Sequence, residues 1–513
     1  MNRRVAPASQ PATRPPAAAS KKKSPPFTPD PARWRVLIVL LTALFMSLVG
    51  VSIVNVALAS IQTGLHATQS DIQWVLSGYA LAFGVVLVSA GRAGDIMGRG
   101  GLFLVGTAIF TAASIAAGLA HDAAWLNAAR FLQGLGSGLL SPQGIGMIQQ
   151  YFRGAERGRA FGYLGTVVGF SVAVGPVFGG LLIQLGGPEI GWRLTFLVNV
   201  PIGLMTIVMG LRWFPRPLIA LGGNAGQTPP GCEDGILRSL DPVGSGLLGL
   251  AVLAVLFPFM ESRTAPATWL LLPAGLALAY AWVKWERRYA RLGGSPMVDL
   301  DIFSTSSFAN GTLIMTLYFL GMTSVWVLVA LYMQLGTGRT AFEAGLVGVP
   351  AALLSAYAAN WAGKRVMRYG RRIVIGGLLL ALLGLGSSIL VTLLHEKSML
   401  NIWWLLLTLS FIGLAQGLVI SPNQTLTLAD VPLAYAGSSG AIMQTGQRIG
   451  TSIGIAVITA ATFAALRASS SWTIAFMAGL GVVAFVMLLT LAVAFKDLRD
   501  RGKNPHAART KAR

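Results

Sequence analysis

Apolar runs of about 20 residues, long enough to cross a bilayer as a helix, recur along the chain. The first runs from Val36 to Ile61 without a charged residue. It is too long for the apolar core of a cleavable signal peptide. About 14 such segments can be counted between residues 36 and 495, separated by short polar turns. Backbone inside hydrocarbon must satisfy its own hydrogen bonds, so only helices or closed barrels cross a membrane, and runs of this length select helices. Composition points the same way: 11% of residues are charged and 54% hydrophobic, whereas soluble domains carry about a quarter charged residues. The expected class is an all-α polytopic membrane protein.

Charge then sets orientation. The net charge of +21 would suggest nucleic acid in a soluble protein, but here it is concentrated in tails and short loops, where it fixes topology. No nucleic-acid partner is expected. With both termini cytoplasmic, only Arg263, Arg339, Lys397 and Arg467 fall in outer loops, while Arg130, Arg193 and Arg448 lie inside helices. A miscounted helix would invert the alternation downstream of it, so the charge pattern supports 14 helices. The basic residues Lys21, Lys22, Lys23, Arg33 and Arg35 either enforce this topology or rest on anionic lipid headgroups.

Several chemistries are excluded. Cys232 is the single cysteine, and His66, His121, His395 and His506 fall in loops or the tail, so no disulfide framework or Cys/His metal centre is expected. No G-x-x-x-x-G-K-[ST] loop occurs, which argues against direct ATP drive. None of the 18 acidic residues lies near the middle of an apolar segment; Asp71, Asp95, Glu261 and Asp430 sit at ends or in loops. A membrane enzyme needs convergent acid, base, nucleophile or metal ligands inside its helices, and none are offered. No cofactor is expected.

The segments suggest six parts: a disordered basic tail (1–34), a six-helix bundle (35–213), a cytoplasmic linker (214–240), two extra helices (241–290), a second six-helix bundle (291–496) and a basic tail (497–513). An internal repeat links the bundles. Gly91 and Gly98, followed by Arg99, sit seven apart after helix 2; Gly363 and Gly370, followed by Arg371, repeat that spacing after helix 10. Two related bundles around a central site is a common plan for secondary transporters.

Six stretches carry a more specific resemblance. The loop Gly91-Arg92-Ala93-Gly94-Asp95-Ile96-Met97-Gly98-Arg99 combines glycines, which let helix ends approach, with one carboxylate among basic residues, the parts of an ionic latch. It resembles the signature between helices 2 and 3 of the major facilitator superfamily. By that resemblance Asp95 latches the two halves in the outward-closed state, with Gly91, Gly98 and Arg99 as its companions. Arg130-Phe131-Leu132-Gln133-Gly134-Leu135-Gly136 is similar to the family's helix 4 pattern. An arginine in a bilayer costs about 3 kcal/mol and is by default functional; the plain alternative is helix fastening through carbonyls. Gly175-Pro176-Val177-Phe178-Gly179-Gly180, with Gly162 upstream, resembles the helix 5 motif of antiporters. Trp192-Arg193 through Pro201 is similar to a stretch of the 14-helix drug:proton antiporter branch, the EmrB/QacA type, as are Ser421-Pro422-Asn423-Gln424 and Gln444 through Gly450.

One position departs from the branch. Its helix 1 usually carries an Asp five residues before the Asn of I-V-N-V-A-L; here Asn55 is present and the Asp position is Gly50. The usual coupling carboxylate is absent. At 1.5 Å rise per residue, Arg130 and Asn55 occupy similar depth, and Arg448 lies near the middle of helix 13. Arg130, Gln133, Asn55 and Arg448 are the candidates for transport and coupling. Gln416, Asn423, Gln424, Gln447, Tyr318 and Trp326 are candidates to line a cavity, although each singly is more often a helix-packing residue. Trp74 and Trp192 are read as outer-interface anchors. Guanidiniums without a carboxylate need carbonyls, amides, water or an anionic ligand, so the cavity is expected to prefer neutral or anionic amphiphiles over dications.

The expected function is export of amphipathic small molecules from the bacterial plasma membrane by a monomer working through alternating access. Proton antiport is what the resemblance implies. Export of an endogenous metabolite or lipid, or facilitated flux because Gly50 replaces the Asp, are the alternatives.

Overall fold

The computed structural model describes residues 32–219, 240–261, 266–294 and 296–503. Most of the expected linker, with Cys232, nearly all of the N-terminal basic tail and residues 504–513 of the C-terminal one lie outside these residues. The long helices are α1 (Arg33–Gly64), α2 (Gln69–Met97), α3 (Arg99–Gly118), α4 (Ala123–Tyr151), α5 (Gly154–Leu197) and α6 (Asn199–Trp213). They continue with α7 (Pro242–Glu261), α8 (Leu271–Arg291), α9 (Ser306–Leu331), α10 (Val349–Tyr369), α11 (Arg371–Glu396), α12 (Leu405–Thr427), α13 (Ala436–Ser469) and α14 (Trp472–Lys503). Inside α5 the path breaks at Gly187, whose φ is 69°.

Thirteen helical stretches among the described residues are long and apolar enough to cross a membrane. The 29-residue α4 is not among them, because Arg130 and several glutamines and glycines lower its hydropathy. It is nonetheless packed between α2 and α3. Polar side chains close the starts of two long helices: Thr68 and Asp71 form a capping box at α2, and Asp122 accepts from Trp125 N at 2.7 Å at α4. Each satisfies donors that the first helical turn leaves without partners.

The repeat seen in the glycine spacing is realised in the packing. Helix α1 packs on α5 and α6, α4 on α2 and α3, and α3 on α6; in the second group α9 packs on α13 and α14, α12 on α10 and α11, and α11 on α14. Between the groups, α5 packs on α10 and α2 on α13, the same pairing made twice. The extra helix α7 rests on α2 and α13, and α8 packs on α7.

The Gly91–Met97 stretch, expected as a loop, is the last two turns of α2. The chain turns only at Gly98, with φ 108°, before α3 begins at Arg99. Its repeat does the same: α10 runs to Tyr369, Gly370 has φ 55°, and α11 begins at Arg371. Positive φ favours glycine, which accounts for the conserved place of the turn in both repeats.

Candidate transport cavity and latch

At the end of the bundle that carries both chain ends, Asp95 projects from α2 onto the first turn of α13. Its Oδ1 accepts from Gly437 N at 2.8 Å, and its Oδ2 accepts from Ser438 N at 2.9 Å and Ser438 Oγ at 3.0 Å. A carboxylate is thus supplied by one half to unsatisfied N–H groups at a helix N-terminus of the other, where the helix dipole favours negative charge. Arg99 neutralises it, donating to Oδ1 through Nε (3.1 Å) and Nη2 (2.8 Å). The same guanidinium reaches Gln150 Oε1 and, across the halves, Leu433 O, both at 2.7 Å. Asp95 is fully buried and Arg99 nearly so. Gly91 permits the approach: a Cβ there would stand 2.8 Å from Gly437 O and 2.9 Å from Ala441 Cβ.

Two seams extend this closure inward. Along α4 and α13, Gln149 Nε2 donates to Ala436 O at 3.1 Å, Ile145 lies against Gly440, and Ser141 Oγ donates to Gln444 Oε1 at 3.0 Å. Along α5 and α10, a Cβ on Gly158 would meet Gly363 O at 2.5 Å, one on Gly162 would meet Ala359 O at 3.1 Å, and Thr166 Oγ1 donates to Ala356 O at 3.0 Å. Further along α5 the glycines change partner. Gly175 and Gly179 face Ser52 and Ile53 of α1, while Gly180 has open space beside it. Pro176, half-buried, lacks the N–H that would complete this part of the helix. The antiporter-like motif therefore serves α1 contact, and Gly162 serves the seam between halves.

Above the seams lies a cavity of about 340 Å³ lined by both halves. Its polar lining comprises Ser47, Tyr79, Ser137 and Ser141 from the first half and Tyr318, Thr323, Gln416, Gln424, Gln444, Gln447, Arg448 and Thr451 from the second. Phe83, Phe319 and Trp326 add aromatic wall. Among the sequence candidates, Gln416, Gln424, Gln447, Tyr318, Trp326 and Arg448 meet here. Ser47, Tyr79 and Ser137, which sequence reasoning did not single out, form a small network: Tyr79 Oη donates to Ser137 Oγ at 2.8 Å, and Ser47 Oγ lies 3.3 Å from Tyr79 Oη.

Four candidates lie elsewhere. Arg130 is 1% exposed and sits behind the wall. Its Nε donates to Val75 O at 2.8 Å, its Nη1 to Gln133 Oε1 at 2.9 Å, and its guanidinium lies 4.5 Å from the Tyr79 ring centre. Gln133 in turn donates to Ser114 Oγ at 2.7 Å. Both residues fasten α4 to its neighbours and hold Tyr79; neither lines the cavity. Asn55 is exposed on α1 and does not line it either. Asn423 is buried at the chain-end side, accepting from Arg371 Nη1 and donating to Gly311 O at 2.8 Å.

One aromatic expectation changes as well. Trp192 is fully buried, edge-on to Phe196 at 6.3 Å and stacked by Arg193 at 4.4 Å, so it fills core rather than anchoring an interface. Trp74 is half-buried against Phe257 of α7.

The carboxylates are distributed one-sidedly. Among the described residues none lines the cavity. The fully buried ones, Asp95, Asp241, Glu286 and Asp497, all lie near the end bearing the chain ends. Asp497 pairs with Arg371 at 2.5 Å, both side chains fully buried, and also accepts from Asn310 at 3.2 Å. At Gly50, a Cβ would face Phe110 at 3.3 Å and the Asn199 amide at 3.4 Å, not the cavity. The buried Asn199 side chain has no hydrogen-bond partner on either atom, so the missing Asp leaves a polar group facing glycine.

Comparison with known proteins agrees with this arrangement. The profile of the Major Facilitator Superfamily matches residues 40–455. The chain is 33% identical over 451 residues to the probable actinorhodin transporter of Streptomyces coelicolor, covering 87% of this chain and 75% of that one. It is 31% identical over 435 residues to the tetracenomycin C resistance and export protein of Streptomyces glaucescens (83% and 75% covered), and 29% identical over 447 residues to a puromycin resistance protein of Streptomyces alboniger (86% and 84%). Among solved structures, the human organic anion transporter MFSD10 superposes with a TM-score of 0.64 at 13% identity, covering 91% of this chain and all of that one. The proton:xylose symporter XylE gives 0.62 at 14%, covering 91% and 95%. At such identities these two establish the fold alone.

Proposed function

The chain belongs to the Major Facilitator Superfamily, a family of membrane transporters rather than enzymes, and from that premise we propose that it exports amphipathic small molecules across the bacterial plasma membrane by alternating access. The observation that carries this reading is a cavity lined by both halves above a closure that one carboxylate completes. Several relatives are exporters or resistance proteins by name, which supports export as the direction and a small organic molecule as the cargo.

With both termini cytoplasmic, the closure made by Asp95, Arg99 and the two seams shuts the cytoplasmic side. The conformation is then closed inward, the opposite of the outward-closed state that the resemblance suggested for the latch. Opening requires α2 to leave the first turn of α13 and α5 to part from α10, since both contacts join the two halves at this end.

Proton exchange is the drive the resemblance implies. Since the cavity lining holds no carboxylate, the drive is tested apart from the cargo. Proteoliposomes receive a pH gradient alone or a potassium diffusion potential alone, and flux of weakly acidic, neutral and cationic amphiphiles is followed. Antiport predicts concentrative flux under the pH gradient that protonophore abolishes. Flux that follows only each compound's own gradient would overturn the antiport reading and leave a facilitator.

A further inference from the structure

We infer that the cavity takes an aromatic organic acid in its ionised form, with the Arg448 guanidinium as its counter-ion. This rests on the export reading for the identity of the site, but its test reads binding only.

Arg448 is the one charged residue in the lining. Its guanidinium lies over the Phe83 ring at 4.4 Å and donates no hydrogen bond to a described residue. Half-buried in the lining, it needs an acceptor from any ligand that covers it, whereas the arginine behind the wall, Arg130, is already committed to Val75 O, Gln133 and the Tyr79 ring. Two further donors in the same lining are buried without acceptors, Tyr318 Oη and Gln447 Nε2. Tyr318 is 2% exposed. The Arg448 guanidinium therefore faces a space whose walls supply no carboxylate, with the Tyr318 and Gln447 donors enclosed just behind the cavity surface.

A carboxylate or phenolate answers that deficit. It accepts several hydrogen bonds at once, and its bonds to a guanidinium are short and charge-assisted. A neutral ligand would leave the guanidinium without a counter-charge, and a cation would add like charge at close range. The remaining wall selects the body of the ligand. Tyr79 and Phe83 lie with ring centres 6.3 Å apart and nearly parallel planes, and Phe319 and Trp326 stand in the second half, surfaces that favour flat aromatic rings.

The test uses three matched probes, 9-anthracenecarboxylate, 9-anthracenecarboxamide and 9-(aminomethyl)anthracene, titrated against the purified full chain in lipid nanodiscs. The acid is expected to bind about tenfold tighter than the amide, and the amine most weakly. Arg448→Gln should lower acid affinity to that of the amide while leaving the amide unchanged, Arg448→Lys should restore part of the difference, and Arg467→Gln, which removes an exposed charge far from the cavity, should preserve the wild-type order. Equal binding of acid and amide, tighter binding of the amine, an equal loss for both in Arg448→Gln, or no acid binding by protein with an intact melting transition would each overturn the inference. The wild-type comparison decides by itself if a variant does not fold. Acid preference without any flux would instead overturn the export reading, and flux with charge-blind binding would overturn only the inference.

Discussion

Asp95 concentrates the charged part of the closure in one side chain, because each of its oxygens serves a neighbour in the other half while Arg99 holds it from its own. Its pair with Arg99 lies within one half, but its bonds to Gly437 and Ser438 cross between halves and exist only in this conformation; a hydrogen bond to a charged group is worth about 1.5–3 kcal/mol. Asp95→Asn keeps the size and loses the charge, so the closed state should lose most of its advantage. With Cys232 replaced by Ser and a cysteine placed at Ser141, thiol reagent added from the chain-end side should label the Asn variant at least tenfold faster than the parent. Equal rates would show that the carboxylate does not hold this end shut. At this scale the sequence was informative about residue type and depth. It marked Asp95 by its glycine neighbours and Arg448 by its place within an apolar run. What it did not carry was rotation about the helix axis: Arg130 has the depth expected of a cavity residue but points toward Val75 and Gln133, while Arg448 points inward. Trp192 fails for the same reason. Its partner Phe196 is near in sequence, but the packing of α1, α3 and α4 around it is not written there.

Among the elements, α5 shows how small residues divide one helix between two tasks. Its first turns lie against α10 through Gly158 and Gly162, and its later turns against α1 through Gly175 and Gly179. Gly158→Val should force the seam apart by its clash with Gly363 O and slow export several-fold, with the melting temperature little changed because the contact lies between halves rather than within one. An unaltered transport rate would count against the seam as a moving part. A second element-scale prediction concerns α11 and α14. Asp497→Asn leaves buried Arg371 without its counter-ion and should cost about 3–5 kcal/mol of stability, whereas the double change Arg371→Met with Asp497→Leu should cost much less. Thermal melting of the purified variants checks the order, and a double variant less stable than the single would contradict it. The sequence revealed the repeat because Gly363 and Gly370 echo Gly91 and Gly98. It could not reveal the pair, whose members are 126 residues apart and whose acid sits where α14 leaves the bundle. The α4 segment is counted among the 14 even though the residues that fasten it, Arg130 and Gln133, lower its hydropathy.

For the whole molecule, the repeat and its packing give a pair of closed seams at one end and a cavity beyond them, so access to the two sides is expected to alternate rather than coexist. A carrier of this kind exchanges ligand faster than it returns empty, and a pore does not. Counterflow in proteoliposomes reads that difference directly. Vesicles are loaded with unlabelled 9-anthracenecarboxylate and diluted into a trace of labelled compound. Alternating access predicts a transient accumulation of label above its outside concentration, saturable in the acid and slowed by Gly158→Val. Label that rises monotonically to equilibrium, at the same rate in loaded and empty vesicles, would contradict it.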